Sequence, residues 1–471
     1  MSTKTNQVSF IEKVGYSAGD AASNLFFQTF IVYLLFFYTD IFGLPAAVAG
    51  TMFLVTRIFD AVNDPLMGMI ADRTKTKYGK FRPYLLWLAI PFGVLGFFMF
   101  VTPDFTDTGK IVYAYITYTL MMIMYTMINV PYAALMGVIT PNAEERTVVS
   151  SYRFVAAYCG LLIVTGFTEP LVEFFGGGED IASKQIGWMW TMGLYGVVAA
   201  ILFLVAFFTT KERVLPPKNQ EIDFKKDGKD LFANGPWVLV GLATVFQLTF
   251  LVIRGGSFAF YINYYIGDHS IVLFGSTIEL GLNYFLTSGA LATLVGAILT
   301  NSISKLFDKK KTYGWFLGLA AIISIAFFFL DKDQVGLIYL VNIIAGFLLG
   351  PVAVLQWAMY TDTADYGEWK FGRRATGLIM AASLFALKLG VALGGAITGW
   401  VLSAYGFESG QLQSDDSLGG ILMLVSIIPA LFGIACYVIM LFYPLTNEKM
   451  KEIEADLIMR RGETGPELTT A

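Results

Sequence analysis

Twelve apolar stretches, each long enough to cross a bilayer, constrain the fold of this chain more than any other feature. A membrane-spanning helix needs about 20 mostly apolar residues. The stretches lie near residues 17–40, 46–71, 83–102, 110–138, 148–172, 186–209, 236–266, 280–302, 313–330, 335–360, 376–404 and 417–443. Only 14% of the 471 residues are charged, against about 25% in soluble domains. The sequence therefore predicts an all-α integral membrane protein with twelve transmembrane helices.

The positions of the cations predict the orientation of these helices. Most of the 32 Lys and Arg residues fall in the two termini, the central segment and alternate connections. The connections on the other side hold only Lys110, Lys184 and Lys332. Because cytoplasmic connections carry an excess of Lys and Arg, we expect both termini and the central segment to be cytoplasmic.

A polar segment rich in Lys, Asp and Pro separates the first six spans from the last six. We therefore expect an N-terminal six-helix bundle at 1–209, a cytoplasmic linker at 210–235, a C-terminal six-helix bundle at 236–443 and a cytoplasmic tail at 444–471. Two such halves are typical of parallel-repeat transporters.

The second predicted span carries ionisable residues that are costly in hydrocarbon. Arg57, Asp60, Asn63 and Asp64 share one face of a helix by their spacing. Two neighbouring carboxylates repel unless a cation or a proton lies between them, and carboxylate-lined sites suit hard cations. The pattern favours a site for a monovalent cation or a proton. The alternative is a self-neutralising cluster in which Arg57 pairs with one Asp and Lys388 with the other.

Further polar residues in predicted spans indicate a polar interior between the helices. The first span carries Asp20 and Asn24, the fourth carries Tyr125, Thr126 and Asn129, and single cations occur at Arg153 and Lys388. Such groups either line a substrate pathway or form hydrogen bonds between helices. Sugar binding combines aromatic rings with hydrogen-bonding groups, which makes Phe26, Phe27, Tyr125 and Trp357 candidates.

Five sequence motifs resemble one transporter family. They are Gly15-Tyr-Ser-Ala-Gly-Asp20-Ala-Ala-Ser-Asn24, Arg57-Ile-Phe-Asp60-Ala-Val-Asn63-Asp64-Pro65, Gly79-Lys-Phe-Arg-Pro83, Tyr125-Thr-Met-Ile-Asn129-Val-Pro131-Tyr132 and Asp362-Thr-Ala-Asp365-Tyr-Gly-Glu368. Together they resemble the glycoside–pentoside–hexuronide:cation symporters of the major facilitator superfamily, in particular xyloside, isoprimeverose and glucuronide carriers. The resemblance implies the fold of that superfamily, with two pseudo-repeated bundles of six helices.

The resemblance also implies roles for individual residues. The family's cation site, for Na⁺ or H⁺, corresponds to Asp60, Asn63, Asp64 and Thr126, with Asp60 and Asp64 as its carboxylates. Its substrate site corresponds to Asn24, Tyr125 and Asn129, with the basic pair Arg153 and Lys388 nearby. Asp20 and Trp357 are predicted substrate residues from their positions in the spans. The loop from Asp72 to Arg82 resembles the superfamily's loop between helices 2 and 3. We predict Asp72, Arg73, Asp362, Asp365 and Arg373 as gating residues, and the alternative for this loop is a topology signal alone. Galactoside-transporting members carry Asp where this chain has Asn24 and Asn129, so a galactoside is not the expected substrate.

These features together predict a symporter that imports a glycoside, pentoside or short oligosaccharide by alternating access, with Na⁺ favoured over H⁺. A hexuronide:H⁺ symporter, a carrier of lipid or another solute, and a membrane sensor are the alternatives. One His and two Cys cannot build the metal or nucleophile sites of an enzyme. We expect a monomer of the bacterial inner membrane that contacts lipid, sugar and coupling cation but no nucleic acid, and that needs no cofactor.

Overall fold

The computed structural model describes residues 8–140, 142–213, 231–267, 270–273, 276–279, 281–372 and 376–463. Within these ranges the regular secondary structure is helical apart from one antiparallel hairpin, β1 (Ser270–Leu273) and β2 (Ser276–Glu279). The first seven helices are α1 (Phe10–Val32), α2 (Leu34–Phe36), α3 (Ala46–Arg73), α4 (Arg82–Met99), α5 (Asp107–Ile139), α6 (Ala143–Gly176) and α7 (Ile181–Thr209). The others are α8 (Gly235–Phe260), α9 (Leu282–Phe307), α10 (Lys309–Ile325), α11 (Val335–Phe371), α12 (Thr376–Ala404), α13 (Asp415–Val425), α14 (Ile427–Leu441) and α15 (Asn447–Glu463). Short π-helical turns at Phe37–Ile41 and Tyr261–Ile266 follow α2 and α8.

The described helices account for all twelve predicted spans. Ten are long and apolar enough to cross a membrane, counting α13 and α14 as one span. The first span is α1 and the helical stretch Leu34–Ile41, which bend by 60° at a short break. The remaining span is α3, whose apolar run is interrupted by the charged residues of the second predicted span. The prediction of an all-helical membrane protein is confirmed.

The chain divides into two compact units. The first comprises Met1–Asn219, Val252–Ala290 and Gly395–Leu424, and the second comprises Gln220–Leu251, Leu291–Gly394 and Val425–Ala471. In the first unit α1 packs against α6 and α7, and α4 packs against α5 and α7. In the second, α10 packs against α11 and α14. The division into bundles at 1–209 and 236–443 stays a prediction.

Two glycines allow α1 to lie close to its neighbours in the first unit. A Cβ on Gly19 would lie 2.5 Å from the ring of Tyr132 in α5, and a Cβ on Gly160 in α6 would lie 2.8 Å from the Cβ of Asn24. Real Cβ atoms do not approach other atoms so closely, so a larger residue at either position would push the helices apart. These close approaches bring the polar side chains of α1 next to those of α5 and α6.

At the end of the first unit where the Lys-rich connection 74–81 lies, the residues after α7 tie several helices together. The carboxylate of Glu212 accepts hydrogen bonds from the backbone N–H groups of Lys80, Phe81 and Arg82 at 2.9, 2.8 and 3.0 Å. It thereby occupies the N-terminus of α4, where helices favour an anion. Gly79, with φ +108°, leaves room for this carboxylate.

The neighbouring Arg213 joins the same end of the unit to α1. Its two terminal nitrogens donate to the two carboxylate oxygens of Glu12, each at 2.7 Å. This hydrogen bonding raises the pKa of the Arg213 guanidinium. Glu12 also accepts the backbone N–H of Lys211 at 3.0 Å. The start of the central segment is therefore an ordered strap, Lys211–Arg213, across the ends of α1 and α4.

Replacing Glu212 with Ala should destabilise the first unit by about 1–3 kcal/mol, because three N–H groups lose a charged acceptor. Thermal unfolding of the purified protein in detergent measures the loss. Glu179→Ala, which removes an exposed carboxylate, is the matched control. Equal melting temperatures for the two variants would contradict a stabilising role for the strap.

Candidate cation and sugar site

The helix α3 carries a buried ion pair at the centre of its charged face. A terminal nitrogen of Arg57 lies 3.5 Å from a carboxylate oxygen of Asp60. Both side chains are buried, at 5% and 1% exposure, and the hydroxyl of Tyr118 in α5 lies beside Arg57. Half of the self-neutralising alternative is therefore observed, because Arg57 offsets the charge of Asp60.

The second carboxylate of α3, Asp64, faces α5 instead. The hydroxyl of Thr126 donates a hydrogen bond to Asp64 at 2.8 Å. Thr126 is buried, whereas Asp64 is partly exposed. Asn63, the preceding residue, has a buried amide nitrogen with no hydrogen-bond partner among the described residues. The structure thus brings the hydroxyl of Thr126 and the carboxylate of Asp64 together, and Asn63 adjoins Asp64 in the chain. All three side chains carry oxygen atoms, which hard cations accept as ligands.

The cation Arg153 in α6 finds its partner on α1. Its guanidinium lies 2.9 Å from a carboxylate oxygen of Asp20, and the two side chains are 30% and 16% exposed. The guanidinium also lies over the rings of Tyr16 and Tyr132, at 5.8 and 5.3 Å from their centroids. Asp20 and Arg153 therefore neutralise each other across the helices.

The two amides of the predicted sugar site lie on α1 and α5. The Asn24 amide donates to the backbone oxygen of Asp20 at 2.9 Å and accepts from Gln28 at 3.2 Å. The Asn129 side chain accepts from Ser23 at 2.6 Å and donates to the backbone oxygen of Tyr125 at 3.0 Å. All of these groups are held in place by their neighbours, which limits the ordering that ligand binding requires.

An aromatic pair accompanies the amides. The rings of Phe27 and Tyr125 are stacked with centroids 6.2 Å apart. Phe26, another candidate from the sequence, is fully buried and packs edge-to-face on Phe92 at 5.0 Å. The structure thus places Phe26 in the core of the first unit rather than at a surface that a sugar can reach.

Two further predicted substrate residues belong to the second unit. Trp357 in α11 is partly buried and contacts Tyr360 edge-to-face at 5.7 Å. Lys388 in α12 is partly buried. The described contacts within the first unit thus bring together Asp20, Asn24, Tyr125, Asn129 and Arg153, and the roles of Trp357 and Lys388 remain predictions.

The structure describes the side chains of three of the five predicted gating residues, Arg73, Asp362 and Asp365. In the second unit, Lys309 at the start of α10 lies 2.5 Å from a carboxylate oxygen of Asp362 in α11. Asp365 is partly buried, and Arg73 is exposed at the end of α3. Arg373 and the side chain of Asp72 lie outside the described residues. The gating role of all five predicted residues stays a prediction.

The sequence reasoning missed Gln28, which hydrogen-bonds to Asn24. It continues the spacing of Asp20 and Asn24 by one more turn of α1, and extending that pattern would have found it. It also missed Glu12 and Glu212, whose partners are more than 100 residues away in the chain. Sequence spacing carries no signal for such pairs.

Comparison with known proteins identifies the family of this chain. Residues 15–447 match the family described as MFS/sugar transport protein. The chain is 37% identical to the putative glycoside/cation symporter YagG of Escherichia coli, over 99% of both chains. It is 34% identical to the isoprimeverose transporter of Lactiplantibacillus pentosus, over 96% of this chain and 92% of the relative.

A solved structure supports the fold. The D-xylose-proton symporter has a TM-score of 0.64 at 14% identity, covering 93% of this chain and 98% of its own. The resemblance found in the sequence motifs is confirmed, and the chain is a transporter rather than an enzyme. The chain belongs to the MFS/sugar transport protein family.

Proposed function

We propose that this protein is a cation-coupled symporter that imports a neutral glycoside, with its termini in the cytoplasm. The names of its relatives support glycoside and cation as the two solutes. The pairing of Arg153 with Asp20 supports a neutral sugar. A guanidinium already bound to a carboxylate is a poor partner for the carboxylate of a uronide, since the two anions would compete for one cation.

The amides support the same substrate class. Asn24 and Asn129 each present groups that donate and accept hydrogen bonds, which matches sugar hydroxyls. The adjacent rings of Phe27 and Tyr125 offer the apolar surface that a sugar face covers. Neutral hydrogen bonds contribute about 1 kcal/mol each, so several must act together.

We propose Na⁺ as the coupling ion. A proton needs only the carboxylate of Asp64, whereas Na⁺ needs several oxygen ligands. The hydrogen bond from Thr126 places a second oxygen next to the carboxylate. Binding of cation and sugar at neighbouring sites couples their affinities, and this coupling is reciprocal.

Counterflow in proteoliposomes tests the proposed function. Preloaded methyl β-xyloside should drive uptake of the labelled sugar, and an inward Na⁺ gradient should drive its accumulation. Methyl β-glucuronide should compete weakly. Exchange of the glucuronide without exchange of the xyloside would overturn the proposal of a neutral substrate. Accumulation driven only by a proton gradient would overturn the proposal that Na⁺ is the coupling ion.

Replacing Asn24 or Asn129 with Ala should weaken sugar binding about fivefold, which corresponds to the loss of about one neutral hydrogen bond. Na⁺ binding should be retained, because the described hydrogen bonds of both amides go to groups on α1 and α5 rather than to the carboxylates of α3. Equilibrium binding of both solutes to the purified variants measures this. Asn301→Ala, at an exposed position, is the control. Unchanged sugar affinity in both site variants would show that the amides lie outside the sugar site.

A further inference from the structure

The helix α1 carries a continuous polar stripe that is longer than the site described above. Asp20, Asn24 and Gln28 are spaced four residues apart. The Asn24 amide donates to the backbone of Asp20, and the Gln28 amide donates to the side chain of Asn24. At 1.5 Å per residue the stripe extends for about 12 Å along the helix. The two amides that the stripe offers to a sugar, Asn24 and Gln28, lie about 6 Å apart along the helix axis, so they can contact neighbouring rings of one substrate.

The stripe ends at Gln28. Ile31 lies about one turn further along α1 and approaches Gly255 and Gly256 of α8. A Cβ on Gly256 would lie 3.2 Å from the backbone oxygen of Ile31. Gln28 is therefore the last polar side chain of the stripe before α1 contacts α8, within the described part of the first unit.

Gln28 has the chemistry to bind a hydroxyl. Its side chain is partly exposed. One N–H of the amide donates to Asn24 at 3.2 Å, and an amide carries a second N–H and a carbonyl oxygen. Phe27, its neighbour in the chain, stacks on Tyr125. The donors and the acceptor of the Gln28 amide match a sugar hydroxyl, which both donates and accepts.

We propose that Gln28 forms a second sugar subsite, so that the substrate is a neutral disaccharide whose outer ring binds at Gln28. The inference rests on the proposed function, because it extends the same sugar site. The inner ring binds at Asn24 and Asn129, and the outer ring adds hydrogen bonds to the Gln28 amide.

Two probes separate the second subsite from the first. Methyl β-xyloside carries one ring, and xylobiose carries two. Affinities are measured by competition in counterflow with the full-length protein in proteoliposomes. The unmodified protein should bind xylobiose more tightly. Gln28→Ala should weaken xylobiose binding about fivefold to tenfold and methyl β-xyloside binding distinctly less, because the first subsite loses only the hydrogen bond that Gln28 donates to Asn24.

Two further variants provide the controls. Gln28→Leu keeps the approximate size of the side chain and should give the same selective loss even if the Ala variant folds poorly. Thr29→Ala changes a neighbouring residue whose hydroxyl bonds only to Leu25 of its own helix among the described residues, and it should leave both affinities unchanged.

The possible failures are distinguishable. Equal losses for both probes, no loss for either, or tighter binding of methyl β-xyloside by the unmodified protein would overturn the second subsite while the proposed function stands. Failure of the unmodified protein to bind either neutral sugar would overturn the proposed function and this inference with it.

Discussion

Asp64→Asn is expected to abolish Na⁺-stimulated uptake while sugar exchange continues. The substitution keeps the shape of the side chain and removes its charge. A hydrogen bond or ion contact to a charged group contributes about 1.5–3 kcal/mol, so Na⁺ affinity should fall by roughly 10-fold to 100-fold or more. Uptake with and without a Na⁺ gradient, alongside counterflow without a gradient, measures the two activities separately.

Two matched variants show whether the effect belongs to the cation site. Asp60→Asn should reduce the yield of folded protein instead, because it leaves Arg57 buried without the carboxylate that offsets its charge. Thr126→Val should weaken coupling to Na⁺. If the coupling ion were a proton, the same variant would leave coupling intact, since a proton needs no hydroxyl ligand. Full Na⁺ stimulation in Asp64→Asn would show that the ion binds elsewhere.

The sequence predicted the fold and grouped the charged residues of α3 for a physical reason. Charges such as Arg57, Asp60 and Asp64 are expensive in hydrocarbon and therefore conspicuous among apolar residues. Their spacing on one helix face was enough to group them. What spacing left open was which carboxylate pairs with Arg57, and the structure assigns this role to Asp60.

Partners on different helices were harder to predict. The Asp20–Arg153 pair joins residues 133 positions apart, and α1 and α6 come close enough for this pair where Gly160 lies against Asn24. The Glu212 contacts with residues 80–82 likewise join parts of the chain that are distant in sequence. Glu212 lies in a polar segment, where a charge is unremarkable, so composition gave no reason to single it out.

The Asp20–Arg153 pair leads to the second large effect. Arg153→Gln alone should reduce sugar transport about tenfold or more, because it leaves the Asp20 carboxylate unpaired among the groups that hold the amides of the proposed sugar site. Asp20→Asn alone should have a similar effect, since it leaves the guanidinium without its carboxylate. Transport rates are compared at equal amounts of folded protein.

The double variant Asp20→Asn, Arg153→Gln distinguishes a positioning role from direct contact with the sugar. If the two charges act by neutralising each other and ordering α1 against α6, removing both should restore much of the transport lost in each single variant. Losses that simply add in the double variant would indicate that each side chain contributes independently. Partial recovery of sugar affinity with unchanged Na⁺ affinity is the expected result, because the described contacts of this pair lie on α1, α5 and α6, whereas Asp64 lies on α3.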